Sequence, residues 1–290
     1  MGSAMIPEPQ LAYVLELLTA LGPAAEHFVL AGARAIKFAN PTARRTNDFD
    51  FVLDVISLRQ LDYSLAKVLQ SLDYAPDPKA RNFQFEKPIP NSAEKMRIEF
   101  MAPDEYQRKS DFRVDIADGI HARACVGGSI VLIETDFHEI QGTLPNGEAA
   151  QVRLRVTRPA ALVMMKCLAL DDRYRGLRGP EHYEYDREMA KIHAADVFAV
   201  VRARPDAQQL LTGLRKQFKA EPALGRRVFQ IIRDYFGGES KPGLLLYEEY
   251  LNDRVDPGEG HQEDIRAELL SATRFMAQLI SSDRSKTPGV

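Results

Sequence analysis

Only two cysteines occur in the 290 residues, Cys125 and Cys167, far apart and without metal-ligand spacing. That argues against a disulfide framework and a thiolate metal site, and it fits buried thiols in a reducing cytoplasm. No apolar run approaches the ~18 residues that a membrane-spanning helix needs. Residues Met1-Gly2-Ser3-Ala4-Met5 lack the basic region and apolar stretch of a secretory signal, and read as an added leader before a start at Met5. There is no internal repeat. What remains is an ordinary globular composition, 45% hydrophobic and 27% charged, in a chain long enough for one large core or two modest ones.

Charge is unevenly spread. The net value is −3, but residues 151–235 hold 17 Lys and Arg against 10 Asp and Glu, a balance of +7, and the remainder stands at −10. A carboxylate-rich half joined to a basic half suits an enzyme acting on polyanions; solvated helix faces are the plain alternative.

Hydrophobic spacing predicts a helix over 8–21, stopped by Gly22-Pro23, then a short buried strand at Phe28–Leu30. A helix start follows over Arg34–Phe38, and Asn40-Pro41-Thr42 reads as a turn. A strand is expected over Asp48–Val55, a helix over Leu58–Leu72, and strands over Phe83–Phe85, Lys95–Met101, Val131–Ile133 and Val152–Val156. Leu144-Pro145-Asn146-Gly147 is a turn between short strands. Thr157-Arg158-Pro159 opens a helix. From there the pattern is helical over 160–173, 183–202, 206–219, 223–235 and 262–280, with loops at 237–243 and 256–260. Strands mixed with helices, then helices alone, indicate an α+β protein. The expected division is an α/β domain over 6–157 and a helical domain over 158–284. Residues 104–150 carry no functional signal.

The chemistry concentrates near residue 50. Asp48 and Asp50 are two apart within an apolar run, so on a strand both carboxylates emerge on one face. Like charges that close are costly unless a cation lies between them, and paired oxygen ligands suit Mg²⁺ shared with substrate phosphates. Glu99, on a strand whose opposite face holds Met96, Ile98 and Phe100, is a candidate third ligand. Upstream, the turn at Ala31-Gly32-Ala33 puts Gly32 N–H at a helix start, where phosphate oxygens bind. Each residue also has a structural alternative. The aspartates would be a solvated strand end, and Glu99 a cross-strand partner of Arg97 or another base. His193 is a helix-surface or core residue by default, and Tyr183 an exposed loop-end aromatic.

In this order the motifs resemble the nucleotidyltransferase superfamily, with its DNA polymerase β-like fold. The closest resemblance is to the AbiEii/MenT group, several of which are toxins in toxin–antitoxin pairs. The matching residues are Val29-Leu30-Ala31-Gly32, then Arg44-Arg45-Thr46-Asn47-Asp48-Phe49-Asp50. A second motif is Lys166-Cys167-Leu168-Ala169-Leu170-Asp171-Asp172-Arg173, and a third is Lys191-Ile192-His193-Ala194-Ala195-Asp196. The chain departs from the pattern at Ala31, where a glycine is usual, and at Ala33, where Ser or Thr is usual.

The resemblance implies a nucleotidyltransferase-fold mixed β-sheet flanked by helices, followed by a helical bundle that completes the cleft. It implies Asp48 and Asp50 as Mg²⁺ ligands, Lys166 on nucleotide phosphates, and Asp196 as a further active-site acid. Arg44 and Thr46 would order the loop or touch phosphate, and Arg34 would replace the missing hydroxyl by charge or block the pocket. The implied reaction transfers a nucleoside monophosphate from an NTP to an acceptor, with a tRNA 3′ end as one candidate and a cognate antitoxin as a partner. Two other readings stand beside it: a small-molecule transferase of the aminoglycoside-modifying kind, and an inactive nucleotidyltransferase-like binding module.

Overall fold

The computed structural model describes residues 6–80, 82–104, 113–176, 179–202, 207–238 and 240–254, plus the isolated helical positions 267, 271 and 274. The loop expected at 256–260 and nearly all of the helix expected over 262–280 lie outside the described residues. The chain divides into two compact units, Met1–Arg158 and Pro159–Val290.

The first unit is built on one mixed sheet. In chain order its elements are α1 (Gln10–Leu21), β1 (Phe28–Leu30), α2 (Gly32–Ala39), β2 (Asp48–Leu53), α3 (Val55–Leu58), α4 (Leu65–Ser71), β3 (Ala75–Pro76), β4 (Gln84–Pro88), β5 (Lys95–Pro103), β6 (Arg113–Ala117), β7 (Ile120–Cys125), α5 (Gly128–Ile133), β8 (Thr135–Thr143) and β9 (Ala149–Thr157). The main path of the sheet runs β3-β4-β5-β2-β1-β9-β8, and β7 joins β5 and pairs with β6. β1 is antiparallel to β2 and parallel to β9, and β2 is parallel to β5. Both flanks of β1 are therefore occupied, and Phe28, Val29 and Leu30 are fully buried, as a three-residue strand without polar side chains requires. α1 packs on β8 and β9, α2 on β2 and β9, and α5 on β2 and β5.

One face of the sheet core is aromatic. The Phe28 ring meets Phe51 and Phe100 edge-on, at 5.9 Å in both cases, and Phe49 stacks beside Phe51 at 6.5 Å. Phe49 and Phe51 are two apart on β2, so the intervening Asp50 and its neighbour Asp48 take the other face.

The second unit is helical, with α6 (Pro159–Tyr174), α7 (Tyr183–Arg202), α8 (Ala207–Ala220), α9 (Pro222–Phe236) and α10 (Pro242–Asn252). Three of these helices begin on proline, which has no N–H to leave unsatisfied there. α6 and α7 pack together, α8 and α9 lie against α6, and α10 lies on α7 and α9. The molecule is thus α+β, with a mixed sheet flanked by helices and a helical C-terminal part.

Two expectations change, and one helix was not anticipated. The helix expected over 58–72 is broken: α3 ends at Leu58 and α4 begins only at Leu65. Asp54 caps α3, its Oδ1 accepting from Ser57 N–H at 3.1 Å, and Ser64 starts α4 by accepting from Lys67 N–H at 3.3 Å. Residues 131–133, read as a strand, form the end of α5, because a short apolar run fits either element and Gly127, at φ +84°, turns the chain into a helix. α10 carries no expectation at all, since its apolar positions follow a Gly-rich loop directly.

Candidate active site

The site in the first unit is assembled where β1 turns into α2. Ala31 N–H donates to the Asp50 carbonyl at 2.8 Å, tying the turn to β2. Gly32 then adopts φ +63°, and a Cβ placed on it would lie 1.7 Å from Asp50 Oδ2. Only glycine satisfies both the left-handed backbone and the approach of the carboxylate. Asp50 is therefore seated against the backbone at the first residue of α2. The early N–H groups of that helix give it a partial positive charge.

Asp48 shares the Asp50 face of β2. Its side chain is half exposed, yet Oδ1 is buried with no hydrogen bond, 3.9 Å from Arg97 Nη1. Burial pushes the Asp48 carboxyl above the ordinary aspartate range; the charges of Arg97, Arg44 and Arg34 oppose that rise and Glu99 adds to it. Arg97 is itself bound to Glu86, Nε to Oε1 at 2.6 Å, so it is a shared cation. Thr46 orders the approach to β2, its Oγ1 accepting from Asp48 N–H at 3.3 Å. Arg44 acts on Asp48 through its field.

Arg34 lies two residues into α2 and is only 1% exposed. Its Nη2 donates to the Thr46 carbonyl, and its guanidinium carbon sits 4.7 Å from the Phe49 ring centroid. Burial lowers its pKa to about 10, while Asp48 and Asp50 pull it upward, so it remains cationic at neutral pH.

Glu99 stands opposite Asp50 in the parallel β2–β5 register. Both of its oxygens are engaged: Oε1 accepts from Arg123 Nε at 2.7 Å, and Oε2 from Gln84 Nε2 at 2.6 Å. The cross-strand partner is thus Arg123 of β7, a residue the sequence reading did not single out, and the Glu99 charge raises the Arg123 pKa. Among the described residues, no group of three or more His, Cys, Asp and Glu is arranged to hold a metal ion. Asp48 and Asp50 nonetheless suit Mg²⁺ that takes its other ligands from phosphate and water. One buried Asp48 oxygen has no hydrogen bond, and Asp50 sits over a residue that has no room for a Cβ.

In the second unit, Lys166 of α6 and Asp196 of α7 meet, Nζ to Oδ2 at 2.7 Å, with both side chains largely buried. Arg173, at the end of the same motif, pairs with buried Asp186 at 2.9 Å. Lys191 of the third motif donates to Asp253 at 2.6 Å. His193 is buried on α7. Sequence reasoning missed Asp171, a buried carboxylate that accepts from Arg175 Nε at 2.6 Å, Tyr235 Oη at 3.0 Å and Arg227 Nη2 at 3.5 Å. Its position one residue after Leu170, inside an apolar helix, was the available signal.

The sequence-predicted residues therefore form two sets. Gly32 and Arg34 of α2, Arg44 and Thr46 of the loop before β2, Asp48 and Asp50 of β2 and Glu99 of β5 belong to the first unit, and Lys166 with Asp196 makes an ion pair in the helical unit. Comparisons with protein-family models, curated proteins and solved structures found no match.

Proposed function

We propose that this protein is a Mg²⁺-dependent nucleotidyltransferase of the AbiEii/MenT kind, moving a nucleoside monophosphate from an NTP to an acceptor hydroxyl with release of pyrophosphate. The observation that carries this reading is the contact of Asp50 with Gly32, which seats one of two same-face carboxylates at the start of a helix. A carboxylate pair beside helix N–H groups offers a cation site and an anion site side by side, and a metal–triphosphate needs both.

Asp48 and Asp50 would hold the cation, and one Asp48 oxygen lacks a hydrogen bond. When bound, Mg²⁺ supplies charge neutralisation at the phosphates and lowers the pKa of a ligating hydroxyl. The N–H groups at Gly32 receive phosphate oxygens, and Thr46 keeps the carboxylate strand in register with the loop before it. Arg44 adds positive charge at the same edge. The resemblance gives Lys166, paired with Asp196 inside the helical unit, a phosphate-binding role. Glu99, bonded to Arg123 and Gln84, would become a ligand only by exchanging those partners.

The acceptor we favour is a tRNA 3′ end, since residues 151–235 carry a net +7 that can neutralise nucleic-acid phosphates. A toxin of this type acts in the cytoplasm and is held in check by an antitoxin. No described helix is long and apolar enough to cross a membrane.

The test is transfer of label from α-³²P NTPs to total tRNA or to an aminoglycoside panel. Labelled, RNase-sensitive product is expected with the wild type and none with Asp48→Ala. Label on an aminoglycoside moves the acceptor to the small-molecule class. Equal labelling by Asp48→Ala, or no Mg²⁺-dependent NTP binding by the folded wild type, overturns the enzyme reading.

A further inference from the structure

Glu86 of β4 has no part in the transfer chemistry above, yet it lies two strands from the aspartate pair on the same face of the sheet. β4 is antiparallel to β5, with Glu86 opposite Arg97 and Gln84 opposite Glu99. β5 is parallel to β2, with Arg97 opposite Asp48 and Glu99 opposite Asp50. Directly opposed residues share a face, so two rows cross three strands: Glu86–Arg97–Asp48 and Gln84–Glu99–Asp50.

In both rows the central side chain, on β5, is held from β4. Glu99 Oε2 accepts from Gln84 Nε2 at 2.6 Å, and its other oxygen accepts from Arg123. Arg97 Nε donates to Glu86 Oε1 at 2.6 Å, whereas Arg97 Nη1 stands 3.9 Å from Asp48 Oδ1. A guanidinium beside a carboxylate ordinarily closes on it with two parallel hydrogen bonds. Here Arg97 has a carboxylate on either side and takes Glu86, which also accepts from Lys95 Nζ at 2.6 Å. Lys95 and Arg97 hold the Glu86 carboxyl below the ordinary glutamate range, so it is ionised at neutral pH. Asp48 Oδ1 is left buried and without a hydrogen bond. Arg34, Arg44 and Glu99 also act on Asp48, and they do so whichever acid Arg97 takes.

We propose that Glu86 is a positioning residue: by holding Arg97 on the β4 side it keeps Asp48 open to a divalent cation. Without Glu86, Arg97 closes on Asp48 and competes with the metal. This rests on the cation role assigned to the two aspartates above.

The probe is Mn²⁺ alone, titrated against wild type, Glu86→Gln, Arg97→Met and the double variant, with free Mn²⁺ read by electron paramagnetic resonance. Glu86→Gln should bind Mn²⁺ about tenfold more weakly than wild type. About twofold of that is the lost charge, felt through screening solvent across two strands. The other factor, about fivefold, is Arg97 closing on Asp48, the scale of an exposed ion pair. In the Arg97→Met background only the loss of about twofold should remain, because no guanidinium is left to close. Equal losses in the two backgrounds mean that Glu86 acts by its charge alone and overturn the inference, as does unchanged binding by folded Glu86→Gln. If Glu86→Gln does not fold, Glu86→Ala takes its place in the same cycle. No Mn²⁺ bound by the wild type, with or without ATP, overturns the cation role of the aspartates and the inference with it. A wild type that binds Mn²⁺, with equal losses in the two backgrounds, overturns the inference alone.

Discussion

In the sheet unit Asp48 keeps a buried carboxylate oxygen without a hydrogen bond, whereas in the helical unit Asp171 is met by Arg175, Tyr235 and Arg227. Lys166 with Asp196 and Arg173 with Asp186 are matched in the same direct way. The cations around Asp48 stand farther off or are shared: Arg97 is 3.9 Å away and bonded to Glu86, and Arg34 points its Nη2 at the Thr46 carbonyl. A buried carboxylate surrounded by donors holds a fold together. One left short of donors costs stability, and it persists where a ligand completes it.

Three substitutions sharpen or break this contrast. The largest effect is expected for Gly32→Ala, which forces a Cβ into Asp50 and strains a left-handed backbone. A loss of about 3 kcal/mol in denaturant unfolding is expected; a loss well under 1 kcal/mol would mean that the Gly32–Asp50 contact is loose and that the carboxylate is not seated by the turn.

Next is Lys166→Met, which takes the ammonium from a buried carboxylate and should cost ~3 kcal/mol. The double variant Lys166→Met/Asp196→Leu removes both charges and should recover most of that loss. If the double variant is as unstable as the single one, the pair is not the structural element described here.

The smallest effect carries the opposite sign. Asp48→Asn removes a charge that burial disfavours; because the side chain is half exposed, solvent screening leaves only a small gain in stability at neutral pH, while cation binding is abolished. The pH dependence follows from linkage. The folded carboxyl titrates above the ordinary 3.8, so its stabilising contribution is present in acid and is lost as pH rises through the folded value. The stability advantage of Asp48→Asn should therefore open as pH rises through that value and close in stronger acid. Cation binding by the wild type should fall on acidification sooner than for an ordinary aspartate. A constant difference between the two proteins at all pH values would remove the argument that Asp48 is destabilised by burial.

Much of the architecture was legible where a local rule governed it. The alternation of β2 and β5, the Leu144–Gly147 hairpin turn between β8 and β9, and the 183–202 helix follow from period, turn chemistry and length. The break between α3 and α4 was missed because capping by Asp54 and Ser64 competes with a continuous apolar stripe. α5 was misread because three apolar residues do not distinguish strand from helix. In the site, Asp48, Asp50 and Gly32 were legible as a strand pair and a turn. Arg123 and Asp171 were not, since Glu99 reaches the first, and Arg227 and Tyr235 the second, from far along the chain.

The sequence by itself determined that Asp48 and Asp50 share a face, because a strand alternates every two residues and Phe49, Phe51 and Leu53 need the core. It also determined that the turn before α2 is built on glycine. Only the tertiary structure decided how each charge is answered. Glu99 is matched by Arg123, Arg34 is buried beneath the carboxylate strand, and one oxygen of Asp48 is left without a hydrogen bond. The physical reason is range: alternation and backbone conformation act within a few residues, whereas desolvation and ion pairing depend on which strands and helices are brought together.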